Sequence, residues 1–591
     1  MPQLLNSMNL NDYFISAPLS AIYTVIMGLS MLVVFDRAGK ALFRSREVWA
    51  SGLYFFAGLL LLSFLILVCS LLNMATIWLF HTIAICLIVI ALLQWKQSIE
   101  TLRAILNTLA PKSPPGILRY TVLFAWLALI IISLSPPTDA DSLDYHLGLP
   151  VEILRTHGLH FDGRNIHFRL FGFGEMLNTL GVANGCPQLG AFIQLLAMVW
   201  LIKVFASAVT DDSMYKVAAL TIGIPVMLFL MQSQKHQVTG AACSALCFYV
   251  ISQKSEELKG RMLLLLTGCM IFMAGIKYSF ILSFAVLLLF LALKTKKVVI
   301  PIGAAIIGSA VFLGPMLIFR YLQYHDPLSP MLEEFSGNID PVVLHMKLYL
   351  QQFRDSKFCF PLNLVLPSSF GYLSTVLGIS PFIVPTILLS YRRYKIETIT
   401  IAAFIIGTII LGQRTGRFFL EPYLWALPIF LSQSPKHKWF KYLALAAQLQ
   451  FILLLPMFGY AAIELGRGSL SDKQRINVLT KHASGYAESK WIDSLLPRDA
   501  VIATTIRSRA LLPRPYFPKE YFYLMGVNQK MFDSLLLQNY KVGYLVIPEV
   551  MANTKFKGYR LRKIASGTFY SATRNPFNKS YYTLSVFKIE R

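Results

Sequence analysis

The sequence predicts an all-α polytopic membrane protein of about fourteen transmembrane helices, followed by a small α/β domain. Hydrophobic residues make up 55% of the 591 residues and charged residues only 14%, which is too few to cover a water-soluble surface. Apolar runs of membrane-spanning length recur from residue 15 to residue 463, and a polar stretch follows them. This pattern excludes a soluble enzyme, a disordered scaffold and a disulfide-rich secreted module.

Each predicted span is a mostly apolar run, because a helix needs about 20 such residues to cross hydrocarbon. We divide the chain into three extra N-terminal spans with basic loops, 1–117, a transmembrane core, 118–463, and a C-terminal domain, 464–591. The fourteen runs are residues 15–35, 48–69, 75–94, 119–135, 188–209, 217–231, 237–252, 262–276, 278–293, 298–319, 368–390, 396–411, 418–433 and 442–463.

Basic residues predict the orientation of these spans, because loops rich in Lys and Arg stay in the cytoplasm. Both termini and the loops 136–187 and 320–368 are therefore expected outside the cell (inner or plasma) membrane. The same rule accounts for part of the net charge of +24, and no basic stripe with interleaved aromatic residues indicates nucleic acid. The basic loops on the predicted cytoplasmic side are 36–47, 95–119, 253–261, 294–297, 391–395 and 434–441.

The tail 464–591 carries 21 Lys and Arg against 9 Asp and Glu, and it alternates helix-like and strand-like stretches. We therefore expect an extracytoplasmic α/β domain, which can lie against anionic headgroups. Its predicted elements are helices over 488–496 and 532–539 and strands over 500–504, 543–548 and 582–589.

Three carboxylates, Asp139, Asp141 and Asp144, open the loop 136–187, and Tyr145 and His146 follow them. Ionisable groups beside hydrocarbon need partners or water, so this cluster indicates a site. It can hold a divalent cation through Asp139 and Asp141, or supply one carboxylate as a general base. The structural alternative is an acidic helix start that compensates the helix dipole.

Further polar residues are predicted on the same side of the membrane. Lys and Arg side chains on that side can bind a phosphate group through charged hydrogen bonds. The alternative is that they anchor the helix ends by extending their charged groups to the membrane surface. Acids and cations on one face together predict an anionic lipid-linked substrate and a general base. The loop 320–368 also holds an amphipathic stretch with Leu344, Met346, Leu348 and Phe353, which we expect in the membrane interface beside an opening for lipid. The polar residues are Lys235, His236, Lys277, Tyr278, His325, Arg414 and Arg417.

Four short segments occur in order along the chain: the acidic cluster, the pair Lys277-Tyr278, the turn YHDPLSP over 324–330 and the helix start RFFLEP over 417–422. In order and sidedness they resemble the GT-C superfamily of polytopic membrane glycosyltransferases, which includes protein mannosyltransferases, aminoarabinose transferases and oligosaccharyltransferases. The resemblance covers residues 118–591, and the three preceding spans depart from the layout of that superfamily.

This resemblance implies an inverting glycosyltransferase that moves a sugar from a polyprenyl-phosphate-linked donor to a glycan, lipid or protein acceptor. We expect Asp141, or failing it Asp139 or Asp144, to deprotonate the acceptor hydroxyl, while Arg417 and Lys277 neutralise the leaving phosphate. Three other classes stay open: a transporter or flippase for an anionic lipid or solute, a polymerase or ligase of surface glycans, and a non-catalytic membrane protein. The remaining substrate-binding candidates are Tyr145, His146, Lys235, His236, Tyr278, His325 and Arg414.

Overall fold

Helices carry most of the chain in the computed structural model, as expected from the apolar runs. The structure describes residues 8–109, 116–160, 166–208, 214–332, 340, 342–345, 358–433, 438–512, 514–556, 558–571 and 580–590. The α-helices are Leu10–Tyr13, Ala17–Phe43, Val48–Leu71, Ile77–Leu93, Trp95–Leu109, Ile117–Ser133, Gly148–Thr156, Phe173–Ala183, Leu189–Ser207, Met214–Ile222, Met227–Leu230, Gln237–Gln253, Arg261–Ile276, Ile281–Thr295, Val299–Phe312, Gly314–Tyr324, Ile383–Thr386, Lys395–Ile410, Leu420–Gln433, Lys438–Gly466, Asp472–His482, Tyr486–Leu495, Gln529–Asp533 and Glu549–Lys555.

The number of membrane-spanning helices is smaller than predicted. Within the described residues, five helices are long and apolar enough to cross a membrane, or seven if each of two bent pairs forms one span. The prediction of fourteen was therefore wrong, although five to seven apolar helices still fit a multi-pass membrane protein. The five are Ala17–Phe43, Val48–Leu71, Leu189–Ser207, Tyr278–Thr295 and Lys438–Ser469, and the pairs are Ile77–Leu93 with Trp95–Leu109, bent by 93°, and Val299–Phe312 with Gly314–Tyr324, bent by 56°.

Proline interrupts several of the runs that were predicted to span. The run 217–231 consists of a helix and a single further turn, with Pro225 between them. The run 368–390 consists of 3-10 turns and one short helix, and it contains Pro381 and Pro385. Proline lacks the backbone N–H that a continuing helix needs, which accounts for the breaks in these two runs.

The helices Leu189–Ser207 and Gln237–Gln253 lie at the centre of the bundle, since nearly all their residues are buried. Helix Val48–Leu71, one of the three N-terminal helices that were predicted as extra, packs directly against Leu189–Ser207. A Cβ on Gly52 would lie 2.8 Å from a methyl group of Leu246 in helix Gln237–Gln253, so the small residue permits a close approach to that helix as well. The N-terminal helices are therefore part of the central packing.

A five-stranded sheet confirms the small α/β domain that was predicted for the tail. Its strands are β1 (Ile502–Thr504), β2 (Tyr516–Phe517), β3 (Tyr544–Ile547), β4 (Arg560–Ser571) and β5 (Ser580–Glu590). They lie in the order β2-β1-β3-β5-β4; β1 is parallel to β2 and β3, and β5 is antiparallel to β3 and β4. The predicted strands correspond to β1, β3 and β5, whereas β2 and β4 were not predicted.

The two long loops differ in how far the structure describes them. Loop 136–187 is mostly helical and includes a π-helical turn, Ser142–His146. Loop 320–368 begins within helix Gly314–Tyr324, and its residues 333–339, 341 and 346–357 are not described. Of the predicted amphipathic stretch, Met346, Leu348 and Phe353 therefore lie outside the described residues.

Candidate functional site

The π-helical turn Ser142–His146 carries the acidic cluster. Oδ1 of Asp139 accepts a hydrogen bond from the backbone N–H of Ser142 at 3.0 Å, so Asp139 caps the start of this turn. The side chain of Asp141 is 24% exposed, whereas that of Asp144 is fully buried. The three carboxylates thus have different surroundings although they lie within six residues of the sequence.

The segment that leads into helix Gln237–Gln253 is buried but polar, and it packs against the acidic turn. Nε2 of Gln232 donates a hydrogen bond to the hydroxyl of Thr138 at 2.7 Å. The backbone N–H of Gln234 donates to the hydroxyl of Ser142, also at 2.7 Å. These bonds fix the segment in place and direct its next side chain towards the carboxylates.

That side chain is Lys235, which lies among the acidic residues. Its Nζ is 2.5 Å from Oδ2 of Asp141 and 4.0 Å from Oδ1 of Asp139. Burial lowers the pKa of Lys235, and the two carboxylates offset this only in part. Burial alone would raise the pKa of Asp141, but Lys235 and Arg507 outweigh it and hold that pKa well below its ordinary value. Asp141 is therefore ionised at neutral pH.

Two arginines of the C-terminal domain, which were not predicted, complete the cluster. Nη2 of Arg507 donates a hydrogen bond to Asp141, and its Nε donates to Oδ2 of Asp144 at 3.1 Å. Nε of Arg509 lies 3.2 Å from Oδ1 of Asp144, and its Nη2 donates to Glu520. The acidic turn is thereby joined to the C-terminal domain by charge-assisted contacts.

Asp144 is a buried carboxylate in contact with two arginines and a histidine. Nδ1 of His167 lies 3.2 Å from its Oδ2, in addition to the contacts with Arg507 and Arg509. Burial alone would raise the pKa of Asp144, but Arg509 and His167 outweigh it and hold that pKa well below its ordinary value. Asp144 thus holds the two parts of the chain together.

Two of the predicted histidines, one at the end of the turn and one in the neighbouring segment, are deeply buried. Nδ1 of His146 is 2.5 Å from Oε1 of Glu175, and Nε2 of His236 is 3.0 Å from Oδ1 of Asn178. Asn178 also donates to the backbone carbonyl of His146 at 3.0 Å. Burial lowers the pKa of both histidines, that of His236 to about 3. Both rings are uncharged at neutral pH, and they position the turn.

The residue before Lys277 lies in a close backbone contact with Gly172. A Cβ on Gly172 would lie 2.5 Å from the carbonyl oxygen of Ile276, so a larger residue at position 172 would push this segment away. Lys277 comes directly after Ile276. Burial, together with the like charges of Arg417 and Lys235, lowers the pKa of Lys277 to about 7. This amine is therefore close to its titration midpoint at neutral pH.

Arg417 lies close to the same charges. Its guanidinium influences the pKa of Asp141, of Lys235 and of Lys277, and its carbon Cζ is 4.9 Å from the ring centroid of Phe418. Its Nε is buried and has no hydrogen-bond partner within the described chain. No ion pair joins Arg417 or Lys277 to a carboxylate of the described residues.

Tyr145 lies inside the cluster, as predicted. Its ring packs on His146 with centroids 3.9 Å apart and on His167 with centroids 5.5 Å apart. Burial raises the pKa of Tyr145 well above its ordinary value, and the neighbouring charge of Asp141 adds to this effect. The phenol therefore keeps its proton and can act as a hydrogen-bond donor beside Asp141.

Three other predicted residues make their main contacts elsewhere. The hydroxyl of Tyr278 donates to the carbonyl of Ser329 at 2.9 Å. His325 ends a helix and packs edge-on against Tyr321. Arg414 is exposed, and its backbone carbonyl accepts a hydrogen bond from Nδ2 of Asn363 at 2.7 Å.

A divalent cation between Asp139 and Asp141 does not fit this arrangement. The ammonium of Lys235 already lies between the two carboxylates, and Arg507 holds the second oxygen of Asp141. In the described ranges no group of three or more His, Cys, Asp or Glu side chains is arranged to hold a metal ion. The cluster is an ion-pair network rather than a set of metal ligands.

A family model described as the DUF1420 N-terminal domain matches residues 114–470, more than half of the chain, and the chain belongs to this family of unknown function. The match includes Asp139, Asp141, Lys235, Lys277 and Arg417. It ends before the two arginines of the C-terminal domain. No curated protein matches the chain.

Proposed function

We propose that this member of the DUF1420 family is a membrane glycosyltransferase of the GT-C type. It transfers a sugar, with inversion, from a polyprenyl-phosphate-linked donor to a glycan, lipid or protein acceptor. The transfer takes place at the outer face of the cell membrane, where both termini and the C-terminal domain also lie. The proposal rests on the predicted resemblance and on the charges of the cluster.

One observation carries the proposal: the ionised carboxylate of Asp141 lies within electrostatic range of Lys277 and Arg417, which have no carboxylate partner in the described chain. The like charges of Lys277 and Arg417 repel each other, and this repulsion contributes to the lowered pKa of Lys277. An incoming anion relieves this repulsion and pairs with the guanidinium. Displacement of a sugar from a phosphate requires a base that accepts the proton of the acceptor and a nearby site that binds the departing phosphate.

In this mechanism Asp141 accepts the proton of the acceptor hydroxyl. Its side chain is 24% exposed, whereas Asp139 is 9% exposed and caps the turn, and Asp144 is fully buried between arginines. The acceptor oxygen attacks the anomeric carbon while the bond from that carbon to the phosphate oxygen breaks. Arg417 and Lys277 then stabilise the charge on the departing phosphate.

The decisive experiment replaces Asp141 by Asn in the purified full-length protein and measures sugar transfer from a polyprenyl-phosphate donor. We expect a loss of about 100-fold or more, as for the removal of a general base. Asp499→Asn is the matched control, because Asp499 is exposed and lies outside the cluster. Undiminished transfer in Asp141→Asn, Asp139→Asn and Asp144→Asn, each shown to be folded by its thermal midpoint, would refute the proposal.

The second candidate is a transporter or flippase for an anionic lipid or solute, and the two bent helix pairs favour it. Broken helices near charged residues are typical of transporter substrate sites. Helices Val299–Phe312 and Gly314–Tyr324 meet at 56°. Reconstitution in proteoliposomes separates the two candidates: flux of the lipid or solute without a covalent product supports transport, and a glycosylated product supports transfer.

A further inference from the structure

The loop after β1 inserts the C-terminal domain into the charged cluster. The 3-10 turn Arg509–Leu511 packs against the turn Ser142–His146. The hydroxyl of Ser508 donates to the backbone carbonyl of Ser484, which fixes the loop within its own domain. The side chains of residues 507 and 509 are therefore presented to the acidic turn by a tethered loop.

The two arginines of this loop have opposite exposure. Arg509 is 3% exposed and lies between Asp144 and Glu520. Arg507 is 43% exposed, although it contacts both Asp141 and Asp144. Breaking an ion pair between two buried groups is costly. Arg509 therefore holds the domains together, whereas the guanidinium of Arg507 is accessible from outside the cluster.

Each of the two carboxylates has a cationic partner besides Arg507. Asp144 keeps Arg509 and His167, each with a nitrogen 3.2 Å from a carboxylate oxygen. Asp141 keeps Lys235, 2.5 Å from its Oδ2. If Arg507 moves away, no carboxylate of this group is left without a cation.

Arg507 also approaches Asp141 from a different edge than the other cations. It contacts Oδ1 of Asp141, whereas Lys235 contacts Oδ2 and has Lys277 and Arg417 within electrostatic range. In the proposed transfer the donor phosphate occupies the side of Lys277 and Arg417. The acceptor must then approach Asp141 from the side on which Arg507 lies.

We propose that Arg507 binds a phosphate group carried by the acceptor, exchanging its contact with Asp141 for that phosphate as the acceptor hydroxyl arrives. This inference rests on the proposed function. Lys519, which lies within electrostatic range of Arg507, supplies a second positive charge, and within the described part of the chain it has no ion pair with a carboxylate. The exchange leaves Asp141 with one cation fewer at the moment when it must accept a proton.

The first test needs no transferase activity. The purified full-length protein is treated with phenylglyoxal, and modified arginines are quantified by mass spectrometry. We expect inorganic phosphate, or vesicles of phosphatidylcholine with phosphatidic acid, to protect Arg507 but not Arg562, which is 63% exposed in the same domain. Protection by inorganic phosphate indicates a free phosphate compound, and protection by the vesicles alone indicates a lipid-borne one. Equal modification of Arg507 under all conditions overturns the inference.

The second test compares Arg507→Gln with Arg507→Lys and with the control Arg562→Gln. For a phosphate-bearing acceptor we expect Arg507→Gln to raise KM about tenfold with kcat nearly unchanged, the usual contribution of a charged hydrogen bond. Arg507→Lys should recover part of this loss. A fall in kcat and thermal midpoint with unchanged KM would show a structural role instead. If no variant, including the unaltered protein, transfers sugar while Arg507 is still protected, the proposed function fails and the anion site stands.

Discussion

The ammonium of Lys235 lies 2.5 Å from Oδ2 of Asp141, although the two residues belong to different segments of the chain. The ion pair joins the turn after helix Ile117–Ser133 to the segment before helix Gln237–Gln253. Two buried charges in direct contact are expected to be energetically coupled, so that the effect of losing one depends on the presence of the other.

We therefore expect Asp141→Asn to destabilise the protein by about 1–3 kcal/mol, because it leaves a buried ammonium with a weaker partner. That partner is Asp139, 4.0 Å from Nζ of Lys235. The double variant with Lys235→Met removes both charges and should regain part of the loss. Thermal unfolding in detergent of the unaltered protein, the two single variants Asp141→Asn and Lys235→Met, and the double variant measures the coupling. Strictly additive losses of stability would contradict it.

The contact between the acidic turn and the C-terminal domain should weaken in acid. Although burial opposes it, the pKa of Asp144 is held below its ordinary value by Arg509 and His167. A carboxylate of this kind stabilises the fold above the pKa of the unfolded chain, and the stabilisation is lost as the pH falls towards the folded pKa. We expect proteolysis of the tail to accelerate below about pH 4.

The variant Asp144→Asn is the control for this pH dependence, since its amide does not titrate. It should be cleaved faster than the unaltered protein at neutral pH and should show a smaller further increase in acid. Equal acceleration in both proteins would mean that other carboxylates control the release of the tail.

Oxyanion binding at Lys277 should depend on pH around neutrality. Burial and the charge of Arg417 lower the pKa of this amine to about 7, so its positive charge is lost as the pH rises through that value. We expect the affinity for the phosphate-linked donor to fall by about tenfold between about pH 6 and about pH 8. The predicted fall in affinity is checked by measuring how tightly the purified protein binds the donor across this pH range.

The control is Lys277→Arg, because a guanidinium stays protonated throughout this range. Its donor affinity should vary little between the same two pH values. A fall as steep as in the unaltered protein would assign the titration to another group.

Gly172 should not tolerate a side chain. Its backbone is extended, and a Cβ would lie 2.5 Å from the carbonyl oxygens of Gly275 and Ile276. We expect Gly172→Ala to lower stability by about 1–3 kcal/mol and to displace Lys277, which follows this contact. Gly526→Ala, with no atom within 4 Å of the added Cβ, is the matched control. Equal thermal midpoints for the two variants would contradict the prediction.

Several residues of the candidate site could be chosen from the sequence because a charged residue within or beside an apolar run is unusual. Asp141, Lys235, Lys277 and Arg417 were chosen since each interrupts or borders an apolar run, where ionisable groups need partners. In the structure Lys235 contacts Asp141 directly, and Lys277 and Arg417 lie within electrostatic range of that pair. What they do chemically stays a prediction.

Arg507 and Arg509 were missed for the opposite reason. They lie in a tail with 21 Lys and Arg residues, where an arginine is unremarkable. The only feature of the sequence that could have indicated a role for them is their spacing, two residues apart and soon after a predicted strand. Their contacts with Asp141 and Asp144 depend on how the domain packs against the bundle, and no local pattern encodes that.

The number of spans could not be read from hydropathy because burial in protein and burial in lipid favour the same residues. Helices Ala17–Phe43 and Leu189–Ser207 have the same mean hydropathy of 2.0, yet 44% of the apolar window is buried in the first and 94% in the second. A helix enclosed by other helices need not reach across the hydrocarbon, so shorter apolar runs suffice.

The boundary of the family match divides a network that works as one unit. Asp144 lies inside residues 114–470, while Arg509 lies beyond them. A buried carboxylate that loses its arginine partner destabilises the fold. Substitutions at these two positions must therefore occur together during divergence, and a chimaera that joins this bundle to the tail of a relative will assemble only if that tail brings a matching guanidinium.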